Sequence, residues 1–331
     1  MTDALANLLG RDVLGVRDLS AEELLALVER ADAYKRSAPG PLLAGRRIGL
    51  LFGVPSTRTR VAFFAAAARL GASTEFLRVD DLQVANRETF EDTARVLDRY
   101  LDALVVRMYD MQHYGEGRQR LRLMADAMNA PVVNALDDYE HPCQVLADLQ
   151  TIREQFGSDH LCSSRVVVTW AYSERQKSPG VPHSLMAAAG LLGLNLVIAH
   201  PVGFELDSNY VTWARERAAL SGGSIEFSND LLDAASGAQV IYAKSWKALA
   251  ADGEEDRQAR QAVRAAWMVD DRVMEAASDE AVYMDCLPSV RGEEVAPEVK
   301  DGPRSVIFDQ AENRMWTQMA LLSAVLAEQG N

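Results

Sequence analysis

Positive charge is scarce in this chain. Its 331 residues include 34 Lys or Arg against 48 Asp or Glu, a formal net charge of −14. Such a field repels nucleic acid and anionic membrane, so neither is expected as a partner, and any basic cluster must serve a local anion. Long apolar runs are missing too. Although 48% of residues are hydrophobic, no run approaches the roughly 18 residues a membrane span needs. The three cysteines, Cys143, Cys162 and Cys286, are too few and too scattered for a disulfide framework or a metal quartet. The N-terminus, MTDALANLLGRDVLG, has no basic n-region or small-residue cleavage site, which argues against a secretory signal. A cytoplasmic protein with reduced thiols and no metal is the expectation. GxxxxGK[ST] does not occur, and no GxGxxG follows a strand, which weighs against nucleoside triphosphates and Rossmann dehydrogenases.

The residues present alternate in type. The chain exceeds the size one core usually serves, so two domains are expected. LSAEELLALVERADAYKR opens with Ser20 and has Glu23 three residues on, a capping box before helical apolar spacing. A strand over 48–54 is followed by strand-like 73–79, helix 89–101, strand 102–108, helix 117–129 and strand 131–136, the signature of parallel α/β layers. A helix over HPCQVLADLQTIREQFG leads to the charged SDHLCSSR, marking a change near residue 155. The pattern then restarts with strands at 165–172, 195–201, 239–246 and 280–288, separated by helical SLMAAAGLLG and NYVTWARERAALSG. Two doubly wound parallel-sheet α/β domains joined by interdomain helices follow: 1–150, with a C-terminal helix 312–330 packing back on it, and 151–311.

IGLLFGVPSTRTRVAFFAAAARLG places Ser56, Thr57, Arg58, Thr59 and Arg60 between a strand and a helix. Helix N-termini carry unpaired N–H groups and partial positive charge, so hydroxyls and arginines there can wrap a phosphate. The plain alternative is an N-cap with solvated arginines; five such residues in succession favour the anion site. A small phosphorylated metabolite is the expected ligand.

STRTR, DLQVANRETFEDTARVLDRYLDALVVR, HPCQVLADLQT, DCLP, RGEEV and FDQAENR stand in this order over nearly the whole chain. Together they resemble the aspartate/ornithine carbamoyltransferase family. The resemblance implies a carbamoyl phosphate domain, a second-substrate domain, a cleft between them, no cofactor, and a homotrimer with sites at subunit interfaces. It implies that Ser56, Thr57, Arg58, Thr59 and Arg107 hold the phosphate and that His141, Gln144 and Arg314 face the carbamoyl group. It further implies that the Leu287 carbonyl accepts from the carbamoyl NH2. Arg107, His141, Gln144, Cys286 and Arg314 are the catalytic candidates, and Arg60 is expected to support the loop. Each has a plain alternative: His141 as a helix-start residue, Arg107 as a surface charge, Cys143 and Cys286 as inert buried thiols. Trp246 is set apart from Trp170 and Trp213 as a loop residue for which a core role is less expected.

Specificity is less direct. YAKSWKAL puts Lys244 where the ornithine enzymes carry an acid for the substrate's α-ammonium, and a lysine there repels free ornithine. YAKSW and the long loop TWAYSERQKSPGVPHSL (169–185) look like the acetylornithine and succinylornithine branch, whose second domain is a trefoil knot, an exception to unthreaded chains. A plain surface loop is the alternative. His183 replaces an Asn, Asp285 replaces a His, and ANRE departs from the RGE or KGE form of the arm that a neighbouring subunit is expected to lend, here through Gln83 and Arg87. Lys244 and Arg291 suggest an acceptor with an extra carboxylate or acyl group; Asp285 and Glu293 suggest instead a second ammonium. The second-substrate candidates are therefore His183, Lys244, Trp246, Asp285 and Arg291. N-acylated ornithine ranks first, a diamine, ureido or amide acceptor next, ornithine third. A non-catalytic anion binder is the rival class.

Overall fold

The computed structural model describes residues 2–251 and 253–327. The chain forms two compact units, Met1–Gln150 with Glu312–Asn331, and Thr151–Ala311. Both boundaries fall inside helices, Pro142–Phe156 and Ile307–Leu326. The second helix starts earlier than its motif suggested, and positions 328–330 of the expected 312–330 span lie outside the described residues.

In the first unit, β1 (Arg47–Phe52), β2 (Ser73–Arg78), β3 (Ala103–Arg107) and β4 (Val132–Leu136) form a parallel sheet in the order β2-β1-β3-β4. The inner strands read as continuous apolar runs because both faces are covered: Ile48–Phe52 and Ala103–Val106 are buried. Leu121 and Met124 of the helix Glu116–Ala127 join Leu51, Leu104 and Val106 in one core cluster. Helix Ala21–Arg36 begins with the expected capping box: Ser20 accepts from the Glu23 amide while Glu23 accepts from the Ser20 amide.

The second unit holds β5 (Arg165–Trp170), β6 (Asn195–Ala199), β7 (Ser224–Ser228), β8 (Val240–Lys244) and β9 (Val282–Met284), all parallel, in the order β7-β6-β5-β8-β9. β7 is an edge strand that the sequence pattern does not announce, because SIEFS is short and only Ile225 of it is buried. The buried helix Gly180–Leu192 begins within the 169–185 loop and shortens it to 171–179.

Strand order reverses once in each sheet, between β1 and β3 and between β5 and β8. In open α/β sheets, ligands bind beyond the carboxyl ends of the strands flanking such a point. Those ends are Phe52 and Arg107 in the first unit, and Trp170 and Lys244, partners in register, in the second.

Candidate active site

Beyond β1 the chain turns at Gly53–Ser56 and enters the helix Arg58–Arg69. Thr57 holds the N-cap position and makes no side-chain capping bond among the described residues, so its hydroxyl is not consumed by the helix. Thr59 is the hub. Buried at 1% exposure, its Oγ1 accepts from Arg314 Nη2 at 2.5 Å and from Arg107 Nη1 at 3.3 Å. Guanidiniums from the end of β3 and from the C-terminal helix thus converge on one hydroxyl at a helix N-terminus. Arg58 is half-buried, and its Nε is buried with no hydrogen-bond partner among the described residues. Ser56 is half-buried beside it. Arg60 turns away and lies 4.5 Å over the Phe76 ring. Such a concentration of forked donors suits a dianion with several oxygens.

His141 and Gln144 are buried at the start of the helix Pro142–Phe156. Burial pushes the intervening Cys143 thiol up to about 12, with the Arg314 charge working against it, and its Sγ donates to the Asn134 carbonyl at 3.4 Å. Cys143 is therefore an inert thiol that lies within electrostatic reach of Arg314.

The second unit gathers a different set. At the end of β8, Lys244 is buried and its Nζ donates to the Ser245 carbonyl. Burial pulls its ammonium down to about 8, Lys177 adds to that effect, and Cys286, Asp285 and Glu294 oppose it. Lys177 donates to the Pro288 carbonyl at 2.8 Å and pairs with Glu294. Asp285 accepts from the Leu287 amide at 2.5 Å and from the Tyr283 hydroxyl at 3.4 Å, and burial raises its pKa despite nearby Lys177. Leu287 sits in the left-handed region at φ 54, a backbone strain concentrated in the DCLP turn. Cys286 is half-buried in the same turn.

Other candidates are committed to the fold. The Trp246 side chain is fully buried and donates to the Phe204 carbonyl at 2.9 Å; the expectation that its loop position keeps it from the core is corrected. His183 is fully buried, stacked on Tyr210 at 4.5 Å, with Nε2 accepting from the Asp207 amide. Arg291 is exposed and forks Asp301 through Nε at 2.7 Å and Nη2 at 2.5 Å. Gln83 accepts from Asn86 at 3.1 Å, and Arg87, at φ 75, closes the same exposed turn.

Sequence reasoning missed Arg260 and Asp256. Arg260 is 1% exposed and donates to Asp256 at 2.7 Å, to the Ser173 carbonyl at 3.2 Å, to Ser245 Oγ at 3.1 Å and to the Trp246 carbonyl at 3.1 Å. Asp256 also accepts from Gln176 at 2.9 Å and from the Ala248 amide at 2.7 Å. The pair ties the 171–179 loop to the segment after Lys244. Its i, i+4 spacing on a helix was the available signal. Among the described residues Asp110, His113 and Glu116 bring possible metal ligands within 4.8 Å, but Asp110 caps the Gln112 and His113 amides and Glu116 pairs with Arg120.

The family model for the carbamoyl-P binding domain of aspartate/ornithine carbamoyltransferase matches residues 11–154, and that for its Asp/Orn binding domain matches 170–325. The chain belongs to the aspartate/ornithine carbamoyltransferase family. The resemblance read from its motifs is thereby borne out. Within this family, the anabolic ornithine carbamoyltransferase of Pyrococcus furiosus is 39% identical over 97% of this chain and 98% of its own. An ornithine carbamoyltransferase of Parafrankia sp. is 42% identical over 94% of each chain. A crystal structure of acetylornithine transcarbamylase complexed with acetylcitrulline is 32% identical with a TM-score of 0.89, covering 96% of this chain and 100% of that one.

Proposed function

We propose that this chain transfers the carbamoyl group of carbamoyl phosphate to the amine of a small amino-acid-like acceptor, with N-acylated ornithine the favoured class. One observation carries the first half: Arg107 and Arg314 converging on Thr59 at the end of β1, beside Arg58. A neutral amine attacks the carbonyl carbon, the new C–N bond forms, the C–O bond to phosphate breaks, and the departing phosphate takes the amine proton. Thr59, Arg107 and His141 are the donors assigned to the developing oxyanion, where one well-placed group contributes about 3–4 kcal/mol. Arg58 and the helix N-terminus hold the leaving charge. His141 and Gln144 bind the carbamoyl group, and the Leu287 carbonyl accepts from its NH2.

Lys244 supports the acyl preference. A buried ammonium repels a free α-ammonium, and its donor capacity beyond the bond to the Ser245 carbonyl suits an acyl oxygen or a carboxylate. Ornithine, third among the acceptors on the motifs, moves to second because the relatives named above carry that name. Soluble cytoplasmic residence, the homotrimer, the arm at Gln83 and Arg87, and the trefoil knot belong to the same reading. The test is incubation with carbamoyl phosphate and, in turn, ornithine, N-acetylornithine, N-succinylornithine and putrescine, with phosphate release measured and each product identified by mass. The expected result is carbamoylation of an N-acylornithine with the highest kcat/KM; a higher kcat/KM for ornithine removes Lys244 from its role, and binding without turnover favours the non-catalytic anion binder.

A further inference from the structure

Gln144 occupies the first turn of the helix Pro142–Phe156, and Asp148 lies one turn on, at i+4 on the same face. Both are buried, at 1% and 0% exposure. Gln144 Nε2 donates to Asp148 Oδ1 at 2.8 Å, while Gln144 Oε1 is buried with no hydrogen-bond partner among the described residues. With Asp148 Oδ1 as the acceptor, the group facing it is the amide NH2; a flipped amide would set oxygen against oxygen. The adjacent Cys143 lies within electrostatic reach of Arg314, which donates to Thr59.

We infer that Asp148 is a positioning residue: it locks the Gln144 amide with Oε1 presented as an acceptor for the NH2 of the carbamoyl group, and so makes the site reject acyl phosphates bearing a methyl group there. This rests on the carbamoyl phosphate reading. A methyl group leaves Oε1 buried and unpaired, and sites built around such an acceptor discriminate strongly against analogues lacking the donor. Replacing Asp148 with a residue that can also donate frees the amide to flip.

The test compares three ligands by calorimetry: phosphonoacetamide, 2-oxopropylphosphonate, which has methyl for NH2, and inorganic phosphate. Wild type is expected to prefer the amide by about tenfold or more. Asp148→Asn and Asp148→Ser are expected to cut that preference to about threefold or less, the remainder coming from the Leu287 carbonyl, while affinities for 2-oxopropylphosphonate and inorganic phosphate change less than about twofold, the phosphate arm also reporting that the site is folded. Gln144→Leu should give the same loss, and the double variant no more, because the two residues act as one unit. Equal losses for all three ligands, or an unchanged preference, overturn the role of Asp148. Wild type that binds none of them overturns the carbamoyl phosphate reading itself.

Discussion

In the first unit, the strand ends flanking the switch point bring guanidiniums to a shared hydroxyl; in the second, the equivalent ends bring an ammonium set among carboxylates. The first arrangement carries Arg58, Arg107 and Arg314 around Thr59 and suits one fixed ligand charge. The second balances Lys177 and Lys244 against Asp285 and Glu294, all within electrostatic reach of one another. The matched family models name one ligand, carbamoyl-P, for the first domain and two, Asp/Orn, for the second, and a cluster of offsetting charges can be retuned by a single substitution. One topology thus supports a fixed subsite and an adjustable one.

The largest expected effect lies in the second unit. Arg260→Gln strips a buried Asp256 of its cationic partner and should cost about 3–5 kcal/mol of stability, read from urea unfolding. A loss under about 1 kcal/mol would mean that the brace across the 171–179 loop is dispensable. Next, in the first unit, Arg107→Ala should lower kcat/KM by about 10²- to 10³-fold and weaken phosphate inhibition. An unaltered kcat/KM would place the anion elsewhere.

Third is Lys244→Met, expected to raise the acceptor KM about tenfold while leaving the carbamoyl phosphate KM unchanged. The pH dependence sharpens this. Below about pH 8 the folded protein holds the Lys244 ammonium at a desolvation cost; unfolded, it keeps its proton up to about 10.5. Between those values the unfolded chain binds more protons, so this group makes stability rise with pH, and its full penalty is felt below about 8. In wild type the acceptor KM should therefore climb as pH passes about 8 and the charge is lost; in Lys244→Met that climb should vanish. The smallest effect is Arg291→Ala. Its guanidinium already forks the exposed Asp301, so the acceptor KM should move less than about threefold, and a tenfold rise would return Arg291 to the acceptor.

The alternation of strands and helices was readable because inner strands of parallel sheets are apolar on both faces, as Ile48–Phe52 and Ala103–Val106 are. β7 and the helix Gly253–Val263 were not, since an edge strand and a mainly solvent-facing helix carry little periodic signal. The STRTR junction stood out because charge is costly to cluster. Arg107 and Arg314 joined it only through a motif resemblance; no spacing in the sequence says that residues so far apart meet at Thr59. Trp246 misled because a loop position says nothing about burial when another segment covers it. Lys177 and Arg260 escaped notice because they reach backbone carbonyls distant in sequence, and the local i, i+4 pair of Asp256 and Arg260 does not disclose the Gln176 contact.

The most direct measurement is calorimetric titration of carbamoyl phosphate into wild type and Arg58→Ala, in the absence of any acceptor. The account predicts saturable binding to wild type and none to the variant, with both proteins folded. Equal binding to both would contradict the assignment of the β1 end as the phosphate site.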